Sequence, residues 1–134
     1  MSEPVWLSAE LVIAFHEEQL AEFGGPPGIR DRGMLESALG RPINKWTYGE
    51  TDLAALAAAY AYGIGHNHPF VDGNKRASLL AIVTFLGLNG IDLMVDQAEA
   101  VVMIQSLAAG EVEESGLTRW IRDSLPGAPP RRTA

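Results

Sequence analysis

The segment from Asn74 to Leu88 constrains the fold of this 134-residue chain more than any other. Beyond its first three residues it is apolar on nearly every face, and Asn89 with Gly90 supplies a C-terminal stop. A helix that is hydrophobic on all sides has to be buried within a larger core. Because a chain of this length has room for one domain, we predict a bundle of helices around this central buried helix.

Glycine, proline and capping residues divide the rest of the chain into five further helical segments. Residues 43–50 alternate only weakly between apolar and polar and fit either a small hairpin flap or an open loop. The predicted fold class is therefore all-α, with one domain over residues 1–125 and a disordered, proline-rich tail over residues 126–134. The five helices are predicted to begin at Ser8, Asp31, Thr51, Asp96 and Ser115 and to end near residues 24, 40, 64, 109 and 121.

The charge balance disfavours functions that depend on bulk electrostatic attraction. Ten lysines and arginines against seventeen aspartates and glutamates give a net charge of −7, which argues against binding of nucleic acid or an anionic membrane. The absence of cysteine excludes disulfides, thiolate metal sites and cysteine nucleophiles. The longest apolar run, residues 79–88, is about half of what a bilayer span requires, and the first residues have no leader pattern. We expect a cytoplasmic protein with no membrane or direct nucleic-acid partner.

The polar segment at residues 66–76 concentrates reactive side chains immediately before the apolar helix. A helix that begins near Gly73 presents free backbone N–H groups and the positive end of its dipole to this segment. Gly73 has no Cβ, so an anion can approach the backbone closely. Lys75 and Arg76 add two positive charges at the same end, where a purely structural helix favours acidic residues. This combination predicts a phosphate-binding site.

Two more side chains of the segment supply the other groups that phosphoryl transfer needs. His68 carries an imidazole, which is the usual general base near neutral pH. Asp72 is a hard oxygen ligand that suits Mg²⁺ held against phosphates. A base, a metal carboxylate and an anion cradle indicate phosphoryl transfer, in which positioning and charge neutralisation dominate. The alternative is a capped loop with a solvated histidine and ordinary surface charges.

The string at residues 68–76, HPFVDGNKR, resembles the signature of the Fic/Doc family, most closely its branch of Doc (death-on-curing) toxins. The likeness extends over residues 8–123 and includes the segments 24–31 and 35–42. It implies an all-α core, the use of ATP with Mg²⁺, and transfer of a nucleotide-derived group to a protein hydroxyl. It assigns the catalytic base to His68, the core anchor to Phe70, the Mg²⁺ ligand to Asp72, the anion hole to Gly73, Asn74 and Lys75, and the phosphate-contacting arginine to Arg76.

Two positions bear on which group is transferred. Family members that transfer AMP carry Gly where this chain has Lys75 and a second Arg where it has Leu79. Lys75 is the Doc-type substitution, and Doc-like toxins resemble kinases that transfer the γ-phosphate of ATP to a translation factor, with elongation factor Tu as the type substrate. Gly73 is closer to the Fic form than the Doc-type Ala. A Doc-like kinase is therefore the leading expectation, with protein adenylyl transfer and a weakly active antitoxin-binding module as alternatives.

The resemblance also bears on inhibition and on target binding. The family's inhibitory helix carries a Ser/Thr-x-x-x-Glu-Gly/Asn pattern, which this chain lacks, so the expected inhibitor is a separate antitoxin protein. Residues 43–50 fall where the family has its target-positioning flap. Within them, Trp46 and Tyr48 form either a local packing cluster or, with Lys45, a target or partner surface.

Two histidine patterns that look like metal sites are interpreted as not binding a metal. The run that starts at His16 opens like a zinc-protease helix, but Leu20 stands where the second histidine is needed, so His16 is assigned to an ordinary amphipathic helix face. His66 and His68 have metal-ligand spacing, but they lack the two strands and helix that a nuclease of that type requires. His66 is placed at the rim of the site or on passive surface.

Overall fold

The structure, a computed structural model, describes residues 2–127, and every regular element in that range is an α-helix. The prediction of an all-α fold is confirmed. The one extended pairing within the described range is an isolated antiparallel bridge between Ile29 and Phe70. The helices are α1 (Ala9–Phe23), α2 (Arg32–Thr47), α3 (Leu53–Asn67), α4 (Asn74–Leu88), α5 (Gln97–Ala108) and α6 (Glu114–Asp123).

Local caps set most helix starts where the sequence predicts them. Ser8, Asp31 and Asp96 are the N-caps of α1, α2 and α5, and each side chain accepts a hydrogen bond from a backbone N–H of the first turn. α3 starts behind Asp52 and α6 behind Glu113, each close to the predicted cap. The starts of these helices depend on groups only a few residues away along the chain, so sequence patterns can predict them.

The predicted stop of the second helix is wrong, and residues 43–47 are helical rather than part of a hairpin or an open loop. α2 continues through Pro42 to Thr47, and the chain turns only over residues 48–50. Proline removes an N–H from a helix and is normally excluded from its interior, but burial of the Pro42 ring in the core compensates here. Trp46 lies in the packing cluster that the sequence favoured, with its ring centroid 6.4 Å from that of Trp6. Tyr48, by contrast, is 91% exposed.

The most deeply buried helix is α3 rather than the predicted α4. Eleven of the fifteen residues of α3 are buried, most of them alanine or glycine, against six of fifteen in α4. Small residues let neighbouring helices approach closely, and a Cβ added to Gly63 would lie 3.0 Å from the Cα of Ala38 on α2. α4 therefore forms a wall of the core, and its outer face leaves Val83 and Leu88 exposed.

One hydrophobic core extends from Leu7 to Ile121 and positions the loop between α3 and α4. These two helices pack against each other, so residues 68–73 close their shared end, and α1 packs against α4 on the side of that loop. No helix within residues 2–127 is long and apolar enough to cross a membrane. Most of the tail predicted over residues 126–134 lies outside the described residues.

Candidate active site

The structure brings all six predicted site residues into one cleft of about 370 Å³ at the N-terminus of α4. Because these residues follow one another along the loop and the first turn of α4, local chain geometry is enough to gather them. The side chain of Val71 completes the lining. The predicted members are His68, Asp72, Gly73, Asn74, Lys75 and Arg76.

His68 enters the cleft from an unusual backbone conformation. It is the C-cap of α3, with φ 48° and ψ 58°, and it is the one non-glycine residue with positive φ among residues 2–127. Such a conformation costs roughly 1–3 kcal/mol unless the surroundings hold it. Its N–H donates to the Ile64 carbonyl at 3.1 Å, and its carbonyl accepts from Arg30 Nε at 2.6 Å. The backbone is thus fixed from both sides while the imidazole is exposed to the cleft.

Residues 28–31 form hydrogen bonds with the loop between α3 and α4 and hold it in place. The N–H groups of Arg30 and Asp31 both donate to the Pro69 carbonyl, at 2.7 and 3.1 Å, and the Val71 N–H donates to the Gly28 carbonyl at 3.1 Å. The Arg30 side chain also donates from Nη2 to the Asn67 carbonyl at 2.7 Å. A guanidinium that binds the last carbonyls of α3 stabilises the negative end of that helix. No local sequence pattern indicated that Arg30 supports the site.

Asp72 presents an exposed carboxylate that lies beside the glycine-rich segment after α1. A Cβ added to Gly25 would overlap with Oδ2 of Asp72, and Gly25 has φ +120°. Glycine at position 25 is therefore required for the carboxylate to occupy this place. The backbone carbonyl of the same aspartate lies 2.6 Å from Nε2 of His16.

The first turn of α4 is basic, as predicted. Its N-cap, Gly73, has φ +80° and offers no side chain for capping, and the turn holds no acidic residue. Lys75 and Arg76 are both exposed there, and the Arg76 guanidinium lies 4.8 Å from the centre of the Phe23 ring. Because no acidic residue in the first turn balances the helix dipole and the two cations, this end of α4 favours an anionic ligand.

The side chain of Asn74 is occupied by the loop itself. Its Oδ1 accepts from the Phe70 N–H at 3.0 Å, and its Nδ2 donates to the Phe70 carbonyl at 2.9 Å. This paired bond, together with burial of the Phe70 ring, anchors the middle of the loop. The sequence prediction placed Asn74 in an anion hole, and the group that is left for that role is its backbone N–H.

His16 contacts the candidate site, which the sequence reasoning did not predict when it assigned this residue to an ordinary amphipathic helix face. It is 2% exposed, and its ring stacks on Phe70 with centroids 3.7 Å apart. A signal was available, because Val12, His16 and Leu20 recur at helical spacing on the buried face of α1. No group of three or more His, Cys, Asp or Glu suited to a metal occurs within residues 2–127.

A larger cleft of about 730 Å³ lies between α2 and α3, next to the first. His66 lines it and stacks on Tyr62 with centroids 4.9 Å apart, and the Arg41 guanidinium lies 4.8 Å from the centre of the Tyr62 ring. His66 thus faces a different cleft from His68. We assign the candidate active site to the smaller cleft, although the other cleft has the larger volume. Only the smaller one combines His68 with the Asp72 carboxylate and the two cations of α4.

Comparison with known proteins shows which family and which proteins this chain is similar to. The chain matches the family model described as Fic/DOC family over residues 6–86, which is more than half of its length. It is similar to a protein named "Protein kinase doc" of Escherichia phage P1, with 33% identity over 117 residues, 87% of this chain and 92% of that protein. It is also similar to a protein named "Toxin Doc" of Mycolicibacterium smegmatis, with 42% identity over 77 residues, 55% of this chain and 58% of that protein.

Proposed function

The chain belongs to the Fic/DOC family, and from that membership we propose that it is a Doc-type toxin that transfers the γ-phosphate of ATP to a hydroxyl of a translation factor and so inhibits translation. The observation that carries the proposal is the cleft in which His68 and Asp72 face the basic first turn of α4. The names of the two relatives, a protein kinase and a toxin, support the same reading.

The first turn of α4 would hold the triphosphate. Lys75 and Arg76 carry full positive charges, and the backbone N–H groups of Gly73 and Asn74 are donors at the positive end of the helix dipole. Preorganised donors of this kind stabilise charge as it develops on a transferred phosphoryl group. The protein as a whole carries a net charge of −7, so Lys75 and Arg76 form a local cluster of positive charge. Such a cluster favours binding of one specific anion over non-specific attraction of anions to the surface.

Asp72 fits a magnesium ion that is bound together with the nucleotide. Mg²⁺ is commonly held by one or two carboxylates plus substrate phosphates and water, rather than by a cage of protein ligands. The cleft has this donor set: one exposed carboxylate beside the anion-binding turn, with no cluster of three ligands within residues 2–127. When bound, the ion would neutralise charge on the phosphate oxygens.

His68 is the base of the proposed reaction. Its exposed imidazole accepts the proton of the acceptor hydroxyl as that oxygen attacks the γ-phosphorus. The bond from the γ-phosphorus to the bridging oxygen breaks, so the phosphoryl group moves to the acceptor and ADP leaves. The products are the phosphoprotein, ADP and a proton on His68. The hydrogen bonds of the loop hold the imidazole at the mouth of the anion-binding turn.

Position 79 favours phosphate transfer over AMP transfer. Where the AMP-transferring pattern has a second arginine, Leu79 packs against the hydrophobic core. The cleft consequently lacks that extra cation and gains Lys75 instead. Elongation factor Tu is the proposed acceptor, and the proposed inhibitor is a separate antitoxin, because the chain contains no inhibitory-helix pattern of its own.

We test the proposal with ATP labelled at either the α- or the γ-phosphate, in bacterial lysate and with purified elongation factor Tu. The variant is His68→Asn, because asparagine tolerates the positive φ of this position and cannot serve as the base. The matched control is His66→Ala, in the neighbouring cleft. We expect γ-label on one protein with the wild type and with His66→Ala, and at least a hundredfold less with His68→Asn.

The other outcomes contradict the proposal in distinct ways. α-label on a protein would identify an adenylyltransferase. Absence of both labels with every acceptor would leave a Fic-type binding module. γ-label that persists in His68→Asn would remove His68 from the role of base.

A further inference from the structure

His16, a buried histidine on α1, contacts the loop between α3 and α4. His16 is 2% exposed, and a polar side chain at such a place is expected to be hydrogen-bonded. Its ring lies against Phe70, and Nε2 is 2.6 Å from the backbone oxygen of Asp72. Since a carbonyl oxygen can only accept, Nε2 carries the proton and donates it. α1 thereby holds the loop at the residue that supplies the proposed metal ligand.

This hydrogen bond also sets the direction of the next backbone donor. In a planar trans peptide the C=O and the following N–H point in opposite directions. The Asp72 carbonyl points to His16, so the Gly73 N–H points away from α1. Gly73 has φ +80°, and a glycine offers little resistance to rotation of the neighbouring peptide plane. The His16 ring packs closely against the backbone of Gly73, because a Cβ built on Gly73 would lie only 3.3 Å from Nε2.

We propose that His16 is a positioning residue for the candidate active site: by donating to the Asp72 carbonyl it holds the peptide between residues 72 and 73 with its N–H directed at the anion. The consequence for catalysis rests on the proposed phosphotransfer, whereas the orientation of the peptide does not. Loss of the donor frees the peptide to rotate, which removes an anion donor and misplaces the Asp72 carboxylate together. His16 acts through these two groups and touches no substrate.

Two variants of similar length separate the hydrogen bond from the shape of the side chain. His16→Gln keeps an N–H donor at about the position of Nε2, and His16→Met fills a similar volume without a donor. Both lose the aromatic stack on Phe70, so the difference between them isolates the donor. Val12→Ala, on the buried face of α1, is the control for a general loss of stability.

The first measurement is the backbone amide signal and the hydrogen-exchange rate of Gly73 and Asn74 by NMR on the full chain. The second is the binding of a non-hydrolysable ATP analogue with Mg²⁺, together with kcat and KM for transfer. We expect His16→Met to shift the Gly73 signal and to weaken analogue binding or kcat by roughly 10–100-fold, the usual effect of removing a group that orients a metal ligand. His16→Gln stays within a few-fold of the wild type, and Val12→Ala lowers Tm without moving the Gly73 signal.

Equal defects in His16→Gln and His16→Met would assign the effect to the ring, and would overturn the proposal. Wild-type behaviour of His16→Met would overturn it as well. If the wild-type protein binds no analogue and transfers no phosphate, the proposed function fails. The Gly73 and Asn74 signals of the two variants still decide whether His16 orients the peptide.

Discussion

At the scale of single residues, the candidate site depends on a glycine that lies outside the motif. Gly24 and Gly25 both have positive φ, at +82° and +120°, but their surroundings differ. Nothing lies within 4 Å of a Cβ built on Gly24, whereas a Cβ on Gly25 would overlap with the Asp72 carboxylate. Both positions therefore favour glycine because of their positive φ. Only at position 25 would a side chain also collide with a group of the candidate site.

We predict that Gly25→Ala impairs the use of Mg²⁺ and that Gly24→Ala does not. Both variants lose roughly 1–3 kcal/mol of unfolding free energy, because alanine rarely adopts φ values of +82° or +120°. Only the alanine at position 25 displaces Asp72, so it raises the Mg²⁺ concentration for half-maximal transfer by at least several-fold. Urea unfolding and a Mg²⁺ titration of transfer measure the two effects. Identical Mg²⁺ curves for the two variants would show that the carboxylate does not depend on residue 25.

At the scale of secondary-structure elements, one carboxylate joins α6 to α2. Glu114, at the first turn of α6, lies 2.6 Å from Lys45 Nζ and also binds the Arg41 guanidinium, and its own side chain is only 14% exposed. Arg32 and Glu36 also form an ion pair, but within α2 and largely exposed to solvent. Screening and side-chain entropy make exposed pairs weak, whereas a partly buried carboxylate with two cations loses more when its charge is removed.

Glu114→Gln is therefore expected to lower the unfolding free energy by about 1–3 kcal/mol, and Glu36→Gln by less than about 0.5 kcal/mol. Urea unfolding at low and high salt is the measurement, and the larger effect is expected to shrink less with salt because the pair is partly buried. Equal effects of the two substitutions would mean that Glu114 contributes no more than a surface ion pair.

At the scale of the whole molecule, a buried tyrosine of α3 ties the N-terminal segment to the core. The Tyr60 hydroxyl accepts a hydrogen bond from the Leu7 N–H at 3.0 Å, and its ring packs against Phe85 with centroids 5.1 Å apart. Burial disfavours the phenolate and raises the pKa of Tyr60 from 10.0 to about 12. The folded protein therefore keeps the Tyr60 proton at a pH where the unfolded chain has lost it.

The protein should lose stability as the pH rises from 10 to about 12, the interval between the unfolded and folded pKa values of Tyr60. Below pH 10 both states hold the proton, so the Tyr60 contribution is fully present there.

Tyr60→Phe flattens the decline in stability between pH 10 and about 12. It also lowers stability at neutral pH by about 1 kcal/mol, because the Leu7 N–H loses its acceptor. Tyr48→Phe, at an exposed position, keeps the decline. Parallel profiles for the wild type and Tyr60→Phe would assign the alkaline loss to other groups. Urea unfolding from pH 8 to 12 makes the comparison.

The sequence predicted the parts of this protein that depend on neighbouring residues. Helix caps such as Ser8 and Asp96, the all-α class, and the start of α4 at Asn74 follow from hydrogen bonds and backbone preferences within one turn. The cleft residues all lie within the short segment 68–76, so their identity and spacing alone indicated a basic, anion-binding turn beside a histidine and a carboxylate.

Tertiary packing decided what supports that turn. His16 and Arg30 reach the loop from 56 and 38 residues away along the chain, and no local pattern states which carbonyl a distant donor will meet. Burial likewise kept α2 helical through Pro42 against its propensity and made the alanine-rich α3 the most buried helix. Local chemistry therefore determined which groups the cleft contains, and packing, whose energies are summed over contacts distant in sequence, decided how those groups are held.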